Sequence, residues 1–158
     1  MCVDGTYAGD EEELWTKRGK TRWTRSTSNR KHKIELKVTK SKIPNAGRGL
    51  FVTHDVSEGT VLGRVCGMVR FVSDSKRDAE RWGLDRGESR LVLLSVGKRR
   101  VSGWAVVDVR GSVFEWMNSS ESEETESVHV SQRGWVSATR DLSAGAELLW
   151  FYGDSFSF

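Results

Sequence analysis

The chain has 158 residues, 37% of them hydrophobic and 30% charged, which is typical of one globular domain with a single core. No apolar run approaches the roughly 18 residues of a membrane-spanning helix, and the acidic N-terminus lacks the apolar segment of a secretory signal. Cys2 and Cys66 lie far apart and the three histidines are scattered, which argues against a disulfide framework and a structural zinc site. We therefore expect an intracellular protein without a metal ion.

The net charge of +3 is unevenly distributed along the chain. Residues 17–42 contain 11 Lys and Arg residues and one acidic residue, whereas the rest of the chain carries 14 basic and 21 acidic ones. Residues 16–33 are polar, basic and non-periodic, and they follow an acidic start. We predict a flexible tail over residues 1–33, acidic and then basic, whose residues 17–33 contact nucleic acid or act as a nuclear signal.

Ordered structure is predicted to begin at residue 34, because apolar and polar residues alternate over 34–39 as in a half-buried strand. Further strand patterns lie at 49–53, 60–71 (interrupted at a glycine), 91–97, 103–109, 127–130, 134–139 and 147–152. One helix is predicted over 75–86 and a short one over 112–118. Many short strands with few helices predict a fold that is mainly β.

Two stretches of the chain are near-repeats of each other. VTHDVSEGTVL (52–62) and ATRDLSAGAEL (138–148) share the pattern Thr-x-Asp-apolar-Ser-x-Gly. Each predicts a strand, a tight turn and a strand, with Asp bonding to its own backbone and Gly at positive φ. Two ordinary turns with the same chemistry would give this pattern, so the repeat indicates no function.

Three segments, taken in order, resemble the SET domain. KSKIPNAGRGLFVTHDVSEG (40–59) is similar to the opening of that domain, VVDVRGSVFEWMNSS (106–120) to its central stretch, and GWVSATRDLSAGAELLWFYGD (134–154) to its closing stretch. SET domains are S-adenosylmethionine-dependent protein-lysine methyltransferases that act most often on histones. The resemblance implies a SET domain over residues 34–158, with small β-sheets and a knot-like C-terminal crossing that ordinary chain rules disfavour.

The Ala-Gly-Arg-Gly segment is the first predicted site. Glycine has no Cβ, so the backbone of such a turn can approach a ligand closely. The resemblance implies that the main chain of Ala46, Gly47 and Arg48 binds S-adenosylmethionine. Taken alone, a Gly-x-Gly segment is more often a plain β-turn.

The Trp-Met-Asn-Ser-Ser segment is the second predicted site. Asn118 and Ser119 stand where the family has an Asn-His pair that touches the cofactor, so the resemblance implies cofactor contacts for both. Glu115 replaces an arginine that is usual in the family. Taken alone, the segment would be a helix cap or turn.

Tyr152 is the predicted catalytic residue, and the resemblance also places it beside the cofactor. Methyl transfer from a sulfonium is an in-line displacement, so catalysis is mostly alignment, and a phenol oxygen can hold the amine in line. The lysine must arrive neutral, and an aromatic channel together with the sulfonium charge lowers its pKa. Without the flanking motif, a half-exposed tyrosine at a strand end would explain the residue.

The resemblance implies that Trp150, Phe151 and Phe156 line the substrate channel, although alternation along a strand lets only one of the first two face it. The large ring of Trp150 predicts mono- or dimethylation. No cysteine cluster follows Tyr152, so the family's zinc-binding module is not expected. Phe156 and Phe158 would close the channel as a lid or form a frayed tail.

The stretch ESEETE (121–126) carries four glutamates. It predicts either a solvated loop or an acidic rim that attracts a basic peptide such as a histone tail. We expect a nuclear or intracellular methyltransferase of a histone or another basic protein. A non-catalytic SET-like module that binds peptide or chromatin, and a basic nucleic-acid-binding β protein, remain the alternatives.

Overall fold

The computed structural model describes residues 13–18, 22–26, 35–86, 91–98 and 101–152. The strands are β1 Glu13–Arg18, β2 Arg22–Ser26, β3 Glu35–Lys40, β4 Arg48–Val52, β5 Val61–Arg64, β6 Met68–Ser73, β7 Leu91–Lys98, β8 Val101–Asp108, β9 Asn118–Ser119, β10 Val128–Val130, β11 Trp135–Ala138 and β12 Leu149–Trp150. Within the described ranges, one α-helix, α1, covers Lys76–Arg86, and single 3-10 turns cover Val113–Trp116 and Glu123–Thr125. The predicted fold, mainly β with short helices, is confirmed. No helix in these ranges is long and apolar enough to span a bilayer.

The described strands form four small sheets. Their orders are β2-β1-β3-β4, β10-β11-β5, β6-β8-β7 and the pair β12-β9. Among these twelve strands, all pairings are antiparallel except that of β12 with β9, which is parallel. A parallel pair needs a long crossover connection, and here the C-terminal strand returns beside residues 118–119. This pairing is compatible with the expected C-terminal crossing, whose knot-like threading stays a prediction.

Two strands lie inside the predicted tail, residues 1–33, and here the structure differs from the prediction. β1 pairs with β3, from Glu13 opposite Val38 to Thr16 opposite Glu35, and β2 pairs with β1. Strand pairing of this kind is formed by the N–H and C=O groups of the backbone. A polar amino-acid composition describes the side chains, so it does not reveal such pairing. The rest of 1–33 lies outside the described residues, and the boundary at residue 34 stays a prediction.

The core is built from the buried apolar side chains of seven described strands, β3, β4, β5, β7, β8, β10 and β11. Along β3 the apolar residues Leu36 and Val38 are fully buried and alternate with half-buried polar ones, as the sequence predicts. The predicted strand 60–71 is interrupted near Gly67. A Cβ on Gly67 would lie 2.0 Å from the carbonyl oxygen of Asp108, so only glycine permits this close approach.

The two near-repeats pair with each other. Val56 N donates to Leu142 O (2.8 Å) and Leu142 N donates to Val56 O (2.7 Å). The carboxylate of Asp55 accepts from Ala144 N (2.9 Å), and the carboxylate of Asp141 accepts from Glu58 N (2.8 Å). Each bond has a counterpart in which the two segments exchange roles, and we call the segments 52–60 and 138–146 the clasp.

The clasp determines where the C-terminal stretch runs. At its end, Val52 N donates to Ala146 O (3.0 Å), and beyond it Leu148 N donates to Leu50 O (2.6 Å), while Phe51 forms an isolated β-bridge with Glu147. Residues 146–148 therefore run antiparallel beside β4, the strand that begins within the Ala-Gly-Arg-Gly segment.

Candidate active site

The hydroxyl group of Tyr152 points back into the protein. It donates a hydrogen bond to the carbonyl of Met117, and the half-buried ring packs edge-on against Trp150 with centroids 5.0 Å apart. Trp150 lies in β12, whose parallel pairing with β9 places Tyr152 next to the segment that contains Asn118. Two of the predicted site segments are thus in direct contact.

The Ala-Gly-Arg-Gly segment forms a turn between β3 and β4. Ser41 N donates to Gly47 O (2.9 Å) and Ala46 N donates to Ile43 O (3.2 Å). Asn45 and Gly47 have φ of 63° and 72°, the left-handed conformation that these two residue types tolerate best. We call residues 41–48 the glycine turn.

Asn118 connects the glycine turn to β9. Its side-chain nitrogen lies 2.9 Å from the carbonyl oxygen of Arg48, 3.2 Å from Ser41 Oγ and 3.0 Å from Glu147 Oε1. This places the side-chain nitrogen of Asn118 inside the protein. Any ligand contact from this residue would use the side-chain carbonyl oxygen or the main chain.

Arg48 is held beside the same segment. Its guanidinium group lies over the Trp116 ring, 5.4 Å from the centroid, and burial lowers the pKa of the arginine. The guanidinium keeps its positive charge, because an arginine pKa stays far above neutral pH.

Glu147 is the polar residue of the site that sequence reasoning missed. Its side chain is buried, with Ser41 Oγ 2.6 Å from Oε1 and Lys42 N 2.9 Å from Oε2. The sequence signal for this residue is a carboxylate inside the apolar run 146–152. A carboxylate is buried only where hydrogen-bond donors surround it, so this position predicts such donors nearby.

The two departures from the family pattern form local contacts. Ser119 is exposed, and its hydroxyl donates to the carbonyl of Ser120 (3.1 Å). The carboxylate of Glu115 accepts from Gly111 N (2.7 Å) and so holds the loop before the 3-10 turn. The cofactor roles of Ser119 and Asn118 remain predictions.

Phe151 and Trp150 have different surroundings. Phe151 N donates to the carboxylate of Glu126 (3.2 Å), while Trp150 packs against the core and against the Tyr152 ring. Trp150 therefore accompanies Tyr152, as alternation along a strand predicts. Phe156 and Phe158 lie outside the described residues.

The acidic stretch 121–126 divides into two parts. Glu121, Glu123 and Glu124 are exposed, and we call these three residues the acidic loop. Glu126 is buried, and its carboxylate lies 3.4 Å from His129 Nδ1 as well as accepting from Phe151 N. The predicted acidic rim therefore has three solvent-facing glutamates. The fourth, Glu126, is buried and accepts a hydrogen bond from the backbone of Phe151, just before Tyr152.

The glycine turn suits a ligand that is bound through main-chain groups. Gly47 is exposed, and a Cβ built on it would meet no atom of the described residues within 4 Å. Open space at a left-handed glycine beside an Asn side chain allows a ligand to contact the backbone directly. Among the described residues, no three His, Cys, Asp or Glu side chains cluster as metal ligands would.

The family comparison agrees with these observations. The SET domain family model matches residues 47–153, which include the last two residues of the glycine turn (Gly47 and Arg48), β9 and Tyr152. No curated protein matches the chain.

Solved structures show the same fold at low sequence identity. A humanised mutant of the Chaetomium thermophilum Polycomb Repressive Complex 2, bound to an inhibitor, matches with a TM-score of 0.51 and 22% identity over 78% of this chain and 16% of that one. The same complex in an autoinhibited conformation, bound to S-adenosylmethionine, matches with a TM-score of 0.52 and 19% identity over 78% and 16%. The SET8 protein of Cryptosporidium matches with a TM-score of 0.50 and 14% identity over 75% and 57%.

The chain spans a small part of the Polycomb chains it matches, and at these identities the likeness concerns the fold. The family model covers well over half of the sequence. The chain therefore belongs to the SET domain family, whose members are protein-lysine methyltransferases.

Proposed function

We propose that this chain is an S-adenosylmethionine-dependent protein-lysine N-methyltransferase that acts on a histone or another basic protein. The observation that carries the proposal is one continuous set of contacts. Tyr152 bonds to Met117, and Asn118, the next residue, bonds to Arg48 of the glycine turn. Three segments that are far apart in the sequence thus meet, and they are the segments to which the resemblance assigns the cofactor and the catalytic tyrosine.

The cofactor would be held by the main chain of Ala46, Gly47 and Arg48, with further contacts from Asn118, Ser119 and Tyr152. When bound, S-adenosylmethionine supplies a methyl group activated by a positive sulfonium. The open face at Gly47 supports this assignment, because the turn there presents backbone without a side chain.

Tyr152 would orient the lysine amine. Its hydroxyl group donates to the Met117 carbonyl, and a phenol oxygen is also an acceptor, so it would accept a hydrogen bond from the incoming amine. Such a contact aligns the amine without transferring a proton, and alignment is the main requirement of a displacement at carbon. The rings of Trp150 and Tyr152 would surround the amine with low-dielectric walls, which lower the pKa of a lysine.

A basic substrate is supported by the charge near the site. The acidic loop lies between β9 and β10 and carries three exposed carboxylates. Clustered negative charge raises the rate at which a basic peptide is captured. We further propose a nuclear location and a contact of residues 17–33 with nucleic acid, whose affinity would fall steeply as salt is raised.

Incubation with labelled S-adenosylmethionine and a panel of core histones tests the proposal. The wild-type protein should label lysine on at least one histone, and Tyr152→Phe should lower turnover about 100-fold, the cost of misalignment by about 1 Å. Tyr7→Phe, the other tyrosine of the chain, is the matched control and should leave turnover unchanged. Equal turnover of Tyr152→Phe and the wild-type protein would contradict the assigned role.

One observation favours a second candidate, a non-catalytic SET-like module that binds peptide or chromatin. Ser119 replaces the family's histidine, and its hydroxyl bonds to the Ser120 carbonyl. Calorimetric titration separates the two functions, because a methyltransferase binds S-adenosylmethionine and the alternative binds basic peptide alone.

A further inference from the structure

We propose that Glu147 is a positioning residue that holds the glycine turn against Asn118, and that Gly49 is a glycine because the carboxylate of Glu147 takes the space of its Cβ. The inference rests on the proposed function, since the two segments that Glu147 joins are those assigned to the cofactor. It goes beyond that function in naming the group that keeps them in register.

The carboxylate of Glu147 receives hydrogen bonds from three neutral donors. Ser41 Oγ and Asn118 Nδ2 approach Oε1 at 2.6 and 3.0 Å, and Lys42 N approaches Oε2 at 2.9 Å. A buried carboxylate opposes folding unless such donors are fixed around it. The donors stabilise the negative charge, and the same hydrogen bonds hold the donors in place. The carboxylate therefore determines how far apart Ser41, Lys42 and Asn118 lie.

These bonds close the glycine turn at both ends. Ser41 and Lys42, where the turn begins, bond to Glu147, and Arg48, where it ends, bonds to Asn118. Asn118 in turn bonds to Glu147, so the two side chains act as one brace across the turn. Met117, the residue before Asn118, holds the hydroxyl of Tyr152, which links the brace to the predicted catalytic group.

The backbone of Glu147 is held independently of its side chain. Its carbonyl oxygen accepts from Ser127 Oγ (2.9 Å), and the residue forms a β-bridge with Phe51. The carboxylate therefore projects from a fixed point of the fold. A change of the side chain removes the brace and leaves the strand in place.

Gly49 lies directly under the carboxylate. A Cβ on Gly49 would lie 2.1 Å from Oε1 and 2.8 Å from the carboxylate carbon of Glu147, distances that real Cβ atoms do not reach. Unlike Gly47, which has a φ of 72°, Gly49 has no positive φ, so space rather than backbone conformation requires glycine there. Gly47 in the glycine turn and Gly49 in β4 are thus glycines for different physical reasons.

A double-mutant cycle on thermal unfolding tests the pairing of Gly49 with Glu147. Gly49→Ala should lower the unfolding midpoint by several degrees in the wild-type protein, and by less than half as much in the Glu147→Ala background. A residual cost is expected, because the Phe51 ring lies 3.2 Å from the added carbon. Gly83→Ala is the matched control, since a Cβ on this buried helical glycine has its nearest neighbour at 3.9 Å. Equal shifts of Gly49→Ala in both backgrounds would overturn the pairing.

Cofactor binding by Glu147→Gln tests the positioning role. Glutamine keeps the shape but can satisfy only part of the donor set, so the dissociation constant for S-adenosylmethionine should rise about tenfold, the effect of one lost hydrogen bond. The Michaelis constant for the peptide and the turnover at saturating cofactor should change little. Glu80→Gln on helix α1 is the control and should bind the cofactor like the wild-type protein.

The outcomes separate this inference from the proposed function. A folded Glu147→Gln or Glu147→Ala protein that binds S-adenosylmethionine as tightly as the wild type overturns the positioning role and leaves the proposed function intact. If the wild-type protein binds no S-adenosylmethionine, the proposed function and the positioning role both fail. The double-mutant cycle then decides the pairing alone, since it needs no ligand.

Discussion

Replacement of Asp141 by alanine removes one of the two side-chain bonds of the clasp. The Asp141 carboxylate accepts from Glu58 N at 2.8 Å, and its counterpart Asp55 accepts from Ala144 N at 2.9 Å. Both side chains are exposed, so each bond competes with water and contributes about 1 kcal/mol to the free energy of unfolding. In a domain of this size such a loss lowers the unfolding midpoint by about 2–4 °C.

Differential scanning calorimetry of three clasp variants measures this contribution. Because the two bonds are equivalent and share no donor or acceptor, Asp55→Ala and Asp141→Ala should give the same shift, and the double variant about twice that shift. Asp141→Asn keeps an acceptor oxygen and should lose less. Asp85→Ala serves as a control, because Asp85 is 73% exposed and pairs with the exposed Arg81 at 3.9 Å, so its change should stay within about 0.5 kcal/mol.

Two results would refute the reasoning about the clasp. Unequal effects of Asp55→Ala and Asp141→Ala would show that the exchanged hydrogen bonds are not energetically equivalent. A double variant no less stable than the wild-type protein would show that backbone pairing at Val56 and Leu142 holds the segments without the carboxylates.

Three further predictions concern the loop, the channel and the response to acid. Replacement of the three acidic-loop glutamates by lysine should raise the Michaelis constant for a basic peptide about threefold at low salt, with less effect at high salt; an unchanged constant would count against the rim. The Trp150 ring should restrict the product to mono- and dimethyllysine, and Trp150→Phe should allow more methylation; mass spectrometry showing mainly trimethyllysine from the wild-type protein would end this idea. Hydrogen bonds from Arg110 lower the pKa of the buried Asp108 although burial opposes them. A lowered folded-state pKa stabilises the fold above about pH 4 and the effect is lost as pH falls further. Arg110→Ala should therefore move the acid-unfolding midpoint, followed by circular dichroism, to higher pH, and an unmoved midpoint would exclude this pair as a source of acid stability.

The sequence anticipates elements whose cause is local. The helix predicted over 75–86 is observed at Lys76–Arg86, where Ser75 Oγ accepts from Asp78 N (3.3 Å) and so caps the first turn. Ala79 and Gly83, one helical turn apart, form its buried face. Capping residues and helical periodicity can both be recognised from residues that are close together in the sequence.

Features that depend on distant partners were not predicted from the sequence. The strand expected over 147–152 is reduced to Leu149–Trp150. Before it, Glu147 and Leu148 contact the backbone of β4 through an isolated bridge, and after it Phe151 N donates to the carboxylate of Glu126 (3.2 Å). The clasp escaped prediction for the same reason, because turn chemistry reveals each turn but not the turn with which it pairs.

The three segments of the candidate site were predicted from the resemblance. The hydrogen bonds that connect these segments were not predicted. Asn118, Tyr152 and the glycine turn were named from motifs, whereas the buried carboxylate of Glu147 looked like one polar residue in an apolar strand. Its donors, Ser41 and Lys42, are more than a hundred residues away in the chain.

Hydrogen exchange of backbone amides with and without S-adenosylmethionine tests whether the glycine turn, β9 and Tyr152 form one cofactor site. The cofactor should slow exchange in the glycine turn (residues 41–48), at residues 117–119 and at residues 149–152 together. Unchanged exchange throughout, or protection confined to the sheet β6-β8-β7, would contradict the claim that these three segments form one cofactor site.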